Sequence, residues 1–188
     1  MKHDYAEQVA QLAEKHGRMV FATAHRVLGN PEDAEDVLQE VFLKLLTSRN
    51  GRRGSHAVRD WGAYLRVTAS RCAVDLLRRR SRWKKDGPEL PEDASAPADR
   101  NPRQSAIRRQ KAAILRRAVA SLPKREARIF ALRYFEDLSY EQIAEQMERS
   151  VSSVGVILHR ARKRLREILA PILGPDDSGE RTENGKGE

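Results

Sequence analysis

Cysteine is almost absent. Cys72 is the single one in 188 residues, so no disulfide can close within the chain and no cysteine pair offers zinc spacing. The five histidines, His3, His16, His25, His56 and His159, are scattered, which leaves no compact His/Cys set to hold a metal. Aromatic residues make up only 5% of the chain. No apolar run approaches a membrane span and the N-terminus has no apolar signal core, so a cytoplasmic protein with no membrane insertion is expected. There is no phosphate loop, no nucleophile elbow, no H-E-x-x-H pair and no evident catalytic dyad. These absences argue against an enzyme, and neither a cofactor nor a small-molecule substrate is expected. Strand alternation of useful length and internal repeats are missing too.

What is present is charge. Asp, Glu, Lys and Arg supply 34% of the residues, with a formal net charge of +9 and an isoelectric point near 10.0. Such an excess points to a polyanionic partner, either nucleic acid or an anionic membrane surface. The segment Gly174–Glu188 is acidic on balance, so the rest of the chain is more basic than the whole. Cys72 sits among Val67, Ala69, Ala73 and Leu76, where it reads as a small buried hydrophobe.

The pattern predicts an all-α chain of two small helical domains joined by a flexible linker: residues 1–83, a linker over 84–103, a second domain over 104–173 and a disordered tail over 174–188. Asp4–Leu28 carries Val9, Leu12, Val20, Ala24 and Val27 at three- and four-residue steps. Gly29-Asn30-Pro31 ends that helix and begins another. Asn30 suits an N-cap, Pro31 suits the first helical position, and Glu32 and Asp33 suit the positive helix start. Ala34, Val37, Leu38, Val41, Phe42, Leu45 and Leu46 then form one apolar stripe. After the Gly/Arg loop Ser48–His56, Asp60 can cap a third helix with Trp61, Leu65, Thr68, Cys72 and Leu76 facing inward. The linker holds Pro88, Pro91, Pro97 and Pro102 among Ala, Asp and Glu, a composition with too little apolar surface to pack. Ile107, Ile114, Leu115, Val119 and Leu122 line a helix ended by Pro123. Arg125–Phe135 forms another, and Pro171 closes the block.

The stretch Leu138–Arg166 is the most informative. Ser139 with Gln142 is a capping box. Ile143, Ala144 and Met147 give that short helix an inner face, a tight turn follows at Glu148–Arg149, and Ser150 can cap the next helix. There, Val154, Leu158, Ala161 and Leu165 share a narrow arc at 3.6 residues per turn, while Ser152, Val156, His159, Arg160, Lys163 and Arg166 occupy the opposite one. Two short helices, a tight turn and a cationic second helix are the sequence form of a helix-turn-helix. Ser152, Ser153, Val156 and His159 are placed for base edges, and Arg160, Lys163 and Arg166 for phosphates.

Three segments then resemble one family. DAEDVLQEVFLKLL (Asp33–Leu46) is similar to region 2.2 of bacterial sigma-70 factors. YLRVTASRCAVDLLRRR (Tyr64–Arg80) resembles the region 2.3–2.4 helix of the small extracytoplasmic-function (ECF) group. Ser121–Glu167 resembles region 4. Their order and the intervening linker fit that group. The resemblance implies an RNA polymerase sigma factor that binds core RNA polymerase and promoter DNA, and an anti-sigma factor as a further partner. It implies polymerase docking through Asp36, Gln39 and Glu40, which match the family's D-x-x-Q-E residues. It also implies contact with the −10 element by the third helix, through Trp61, Tyr64, Arg66, Ser70, Arg71, Arg78 and Arg79, and with the −35 element by the seven residues from Ser152 to Arg166 named above. The Ser48–His56 loop, with Arg49, Arg52 and Arg53, resembles the family's base-capturing loop.

The chain also departs from the family. Where many members carry Gly-Thr-Val-Lys-Ser-Arg, it has Ser152, Ser153, Val154, Gly155, Val156 and Ile157. Two cations are thus missing at the base-reading end, which implies an unusual −35 preference and apolar contact from Val156 to a thymine methyl group. A stand-alone helix-turn-helix regulator is the alternative function, but it assigns no task to the Asp36–Glu40 face.

Overall fold

The computed structural model describes residues 2–47, 58–83 and 102–173. The expected linker, the acidic tail and the Ser48–His56 loop lie outside these residues, apart from the linker's last two positions. Among the described residues there are seven α-helices and no strand. They are α1 (Lys2–Leu28), α2 (Pro31–Thr47), α3 (Trp61–Trp83), α4 (Pro102–Ser121), α5 (Lys124–Tyr134), α6 (Tyr140–Gln146) and α7 (Val151–Leu173). The all-α expectation holds. None of these helices is long and apolar enough to cross a membrane.

Local chemistry sets the helix ends as read from the sequence. The Asn30 carboxamide oxygen accepts from the Asp33 N–H at 2.9 Å and Asp60 Oδ1 accepts from the Ala63 N–H at 3.0 Å, so α2 and α3 are both side-chain capped. Gly29 ends α1 at φ +72°. The Arg116 guanidinium lies over this position, and its Nε donates to the Val27 carbonyl at 3.2 Å. The left-handed φ is what calls for glycine here.

In the first unit, α1, α2 and α3 enclose Val20, Ala24, Val27, Ala34, Val37, Val41, Leu45, Leu65, Ala69, Cys72 and Ala73. The alternation of small and branched side chains lets the three helices approach closely. Tyr5 Oη donates to the Leu45 carbonyl at 2.9 Å and ties the start of α1 to the end of α2.

In the second unit, α7 buries Val154, Leu158, Ala161 and Leu165, the arc read from the sequence, against α5, α6 and α4. Two expectations are corrected. Ile107 is exposed rather than inward-facing; the apolar residues of α4 that reach the core are Leu115, Ala118, Val119 and Leu122. Pro171 does not close the block: α7 continues through it to Leu173. Proline removes a hydrogen bond only toward the preceding turn, and that loss is small where a helix is already ending.

The two units also pack on one another. Helix α3 lies against α4, α5 and α6. Val67 of α3 sits in the same apolar cluster as Ile129, Leu132, Leu138, Ile143, Ala144, Val154 and Leu158 of the second unit. The tethered-domain reading of the sequence contains no sign of this interface.

Candidate nucleic-acid interface

The helix-turn-helix is assembled from its caps inward. Ser139 Oγ accepts from the Gln142 N–H at 3.2 Å, and the Gln142 side chain accepts from the Ser139 N–H at 2.8 Å, closing the capping box on α6. The helix ends in a Schellman turn: the Arg149 N–H donates to the Ala144 carbonyl at 2.8 Å and the Glu148 N–H to Glu145 at 3.2 Å. Glu148 takes a left-handed φ of 52°. Ser150 Oγ accepts from the Ser153 N–H at 3.3 Å and starts α7. The Arg133 guanidinium lies 5.8 Å from the centre of the Tyr140 ring and braces α6 against α5.

This frame fixes the outward face of α7. Ser152, Val156, His159, Arg160, Lys163 and Arg166 are all exposed, while Ser153 is half-buried and bonded to Ser150. Val156 is 51% exposed, a large apolar side chain left facing solvent beside cations. Arg164 is drawn off that face by an ion pair with Glu126 of α5 at 3.2 Å. Gly155 would tolerate a Cβ, since the nearest atom, on Tyr140, lies 3.8 Å away. Packing does not require glycine there.

Along α3 the residues expected at the −10 element divide. Trp61 and Tyr64 meet edge to face at 5.7 Å; Trp61 packs partly on the core while Tyr64 is 45% exposed. Arg79 is exposed. Ser70 is not on an outer face: it is fully buried and its Oγ has no hydrogen-bond partner. Arg66 and Arg71 are likewise partly covered, each with a buried, unpartnered Nε. Arg71 Nη2 donates to the thioether of Met147, just past the end of α6, at 2.9 Å. Burial lowers the Arg71 pKa from its usual value, and nearby Arg128 lowers it further. Arg78 donates to the Ala120 carbonyl at 3.0 Å and to the Leu122 carbonyl. Val67, Arg71 and Arg78 of this helix all meet the second unit. Arg80, in the last turn of the same helix, is paired with buried Asp33.

On α2, Asp36 and Gln39 are exposed and Glu40 is half-buried, held by Lys44 at 2.5 Å. Leu43 continues the face at the next helical step and is 62% exposed. Sequence reasoning passed over Leu43 because it sought inward stripes. The signal was available: positions 36, 39, 40 and 43 fall on one side at helical spacing.

Two family models match the chain. Sigma-70 region 2 spans residues 12–82, and Sigma-70, region 4 spans residues 112–165. Among curated relatives, the chain is 33% identical to the ECF RNA polymerase sigma factor SigE of Mycolicibacterium smegmatis over 85% of its own length and 61% of that protein's. It is 30% identical to the RNA polymerase sigma-H factor of Pseudomonas aeruginosa, over 89% of this chain and 96% of that one. It is also 30% identical to the ECF RNA polymerase sigma-E factor of Escherichia coli, over 75% and 76%. The chain therefore spans under two thirds of the first of these relatives and most of the other two.

Proposed function

The chain belongs to the sigma-70 family, in its extracytoplasmic-function group, and from that premise we propose that it is the promoter-specificity subunit of a bacterial RNA polymerase. The observation that carries this is the ordered match of both region 2 and region 4 to one chain, each on its own helical unit. A stand-alone regulator needs only the second unit, and is not favoured.

In this reading the α2 face of Asp36, Gln39 and Glu40, extended by Leu43, docks on the core enzyme. Helix α7 enters the major groove at the −35 element, with Val156 and His159 toward bases and Arg160, Lys163 and Arg166 toward phosphates. Tyr64 stacks on an unpaired base at the −10 element beside Trp61, with Arg66, Ser70, Arg71, Arg78 and Arg79 along the same helix, since single strands are held by aromatic platforms and cations together. The factor works in the cytoplasm with the polymerase, is held in check by an anti-sigma protein, and leaves the chemistry of RNA synthesis to the core enzyme.

Neither unit alone neutralises many phosphates, and each contact contributes a salt slope of only about −0.9. The polymerase fixes the spacing of the two units and so raises their effective concentration on a promoter. The free chain therefore binds promoter DNA weakly and the holoenzyme tightly. Core-dependent transcription from a genomic promoter library tests this, with Arg160→Ala and Gln39→Ala reporting separately on the DNA and polymerase faces. Equal promoter affinity of free chain and holoenzyme sinks the mechanism.

A further inference from the structure

Helix α7 is crowded with cations that are not held alike. Arg160, Arg162, Lys163, Arg164 and Arg166 stand on it, with Glu167 as its one carboxylate. Among the described residues, Arg164 alone of these cations is in an ion pair, with Glu126 in the first turn of α5. We propose that Glu126 is a specificity-determining positioning residue: it withholds Arg164 from the DNA backbone, so that the phosphate contacts of α7 seat Val156 against the bases. The inference rests on the reading of α7 as the −35 helix.

Geometry sets Arg164 apart. Val156, Arg160 and Arg164 follow one another at four-residue steps, each about 40° further round the helix. Arg164 therefore flanks the exposed face on the side of Arg160 and lies about 80° from Val156. Its side chain is 54% exposed, so the ion pair restrains it and burial does not. One turn on from Arg160, its long stem can reach the same run of phosphates.

Glu126 is built into a rigid element. Helix α5 packs on α7 through Ile129, Leu132, Val154 and Leu158, and Glu126 is 8% exposed. Its Oε2 lies 3.2 Å from Arg164 Nε and is buried without the alignment of a hydrogen bond. The first turn of a helix favours a carboxylate, which offsets part of the cost of burying one. With no hydrogen bond at that oxygen, Arg164 is its counter-charge, and removing Glu126 sets the guanidinium loose.

Phosphate contacts fix how a recognition helix lies, and base contacts give it sequence preference. Arg160 and Arg166 bracket Val156, about 40° to one side and about 80° to the other. A contact from Arg164 adds pull on the Arg160 side only and rolls the helix so that Val156 leaves the base edges. It also adds attraction to any duplex, whatever its sequence. Release of Arg164 thus strengthens binding everywhere and blunts the choice among promoters.

The test uses holoenzyme carrying the full-length chain with E126Q, R164M or both. Each is titrated onto a promoter duplex and onto the same duplex with a scrambled −35 element, at several salt concentrations. E126Q should steepen the salt slope by about 1 on both duplexes and lower the ratio of promoter to scrambled affinity at least about threefold. R164M should leave the slope unchanged, and the double variant should return to the parent slope. A pair that only braces α5 against α7 lowers the urea midpoint in both single variants and leaves every slope alone, which overturns the proposal. A shallower slope for R164M overturns it too, because Arg164 is then already on a phosphate. If E126Q loses helicity, E126D, which shortens the arm and loosens the pair, decides by the same slope: steepening supports the role of Glu126, and an unchanged slope removes it. R160A in the same titration reports on the reading beneath. If R160A makes the slope shallower by about 1 and E126Q changes nothing, only the role of Glu126 falls. If R160A leaves the slope unchanged, the −35 assignment of α7 falls and the role of Glu126 with it.

Discussion

Arg80, in the last turn of α3, is paired with Asp33, a buried carboxylate in the first turn of α2. The pair joins the end of one helix to the start of another. Loss of the guanidinium leaves a buried carboxylate with one partner fewer. Arg80→Ala should destabilise the chain by about 1–2 kcal/mol, less than the 3–5 kcal/mol of a fully buried pair because Arg80 is itself 42% exposed. Urea unfolding measures this. Arg79→Ala, at an exposed position, should leave the midpoint unchanged and weaken −10 binding in the holoenzyme. An unchanged midpoint for Arg80→Ala would refute the structural assignment.

Leu43 is the sharpest probe of the polymerase face. Its exposure on α2 means that Leu43→Ser removes little packing, so stability should move by less than about 0.5 kcal/mol. A large apolar side chain beside Asp36 and Gln39 is the kind of residue that anchors an interface. Its loss should weaken binding to core RNA polymerase by about 2 kcal/mol, roughly thirtyfold, as for a central anchor. Fluorescence anisotropy of labelled chain against core enzyme reads this directly. Wild-type affinity for Leu43→Ser would move the docking surface elsewhere.

Much of this was readable in the sequence because local rules agreed with the fold. Asn30, Asp60, the Ser139–Gln142 box and Ser150 each cap the helix they were expected to cap, since capping depends on residues three apart. The α7 arcs fell as read because a helix exposes one side only when the other has a partner. What could not be read is long-range. Ser70, Arg66 and Arg71 repeat with the periodicity of an outward face, yet Ser70 is buried and Arg71 is bonded to Met147, 76 positions away. Glu136 and Arg26 are separated by 110 positions, and no local pattern couples them. Arg80 looked like Arg79 in sequence, but proximity to Asp33 separates the two.

The recognition helix allows base and phosphate contacts to be told apart. Lys163 is an exposed cation on the outer face of α7. Lys163→Ala should weaken holoenzyme binding to all promoters alike and reduce the salt slope by about 1. Val156 carries no charge, and its exposed methyl groups suit a thymine methyl. Val156→Ala should keep the slope and lose discrimination at one −35 position, by about 1 kcal/mol or somewhat more. Titrations at several salt concentrations on wild-type and singly substituted promoters separate these outcomes. A change in slope for Val156→Ala would mean that the helix lies in the groove at another rotation.

Cys72 supplies a prediction in pH. Burial pushes its thiol pKa up, and Lys44, whose Nζ donates to Sγ at 3.5 Å, pulls it only part of the way back. The folded thiol therefore holds its proton more tightly than the unfolded one, whose pKa is about 8.5. A raised folded pKa means that the folded state binds more protons in this window, so stability falls as pH rises. The contribution is complete below about pH 8.5 and is lost as pH climbs from there through the folded value. Urea midpoints should thus decline between about pH 8 and 10 in the parent chain and decline less in Cys72→Ala, with the difference between the two assigned to this thiol. Lys44→Met removes the cation but keeps the stem, and should steepen the decline by raising the thiol further. Alkylation by iodoacetamide at pH 8.5 gives an independent reading: the native thiol should react at least about tenfold more slowly than in urea, because only an exposed thiolate is nucleophilic. Parallel midpoint curves for the parent and Cys72→Ala would show that the thiol titrates alike in both states, and would remove Lys44 and burial as its controls.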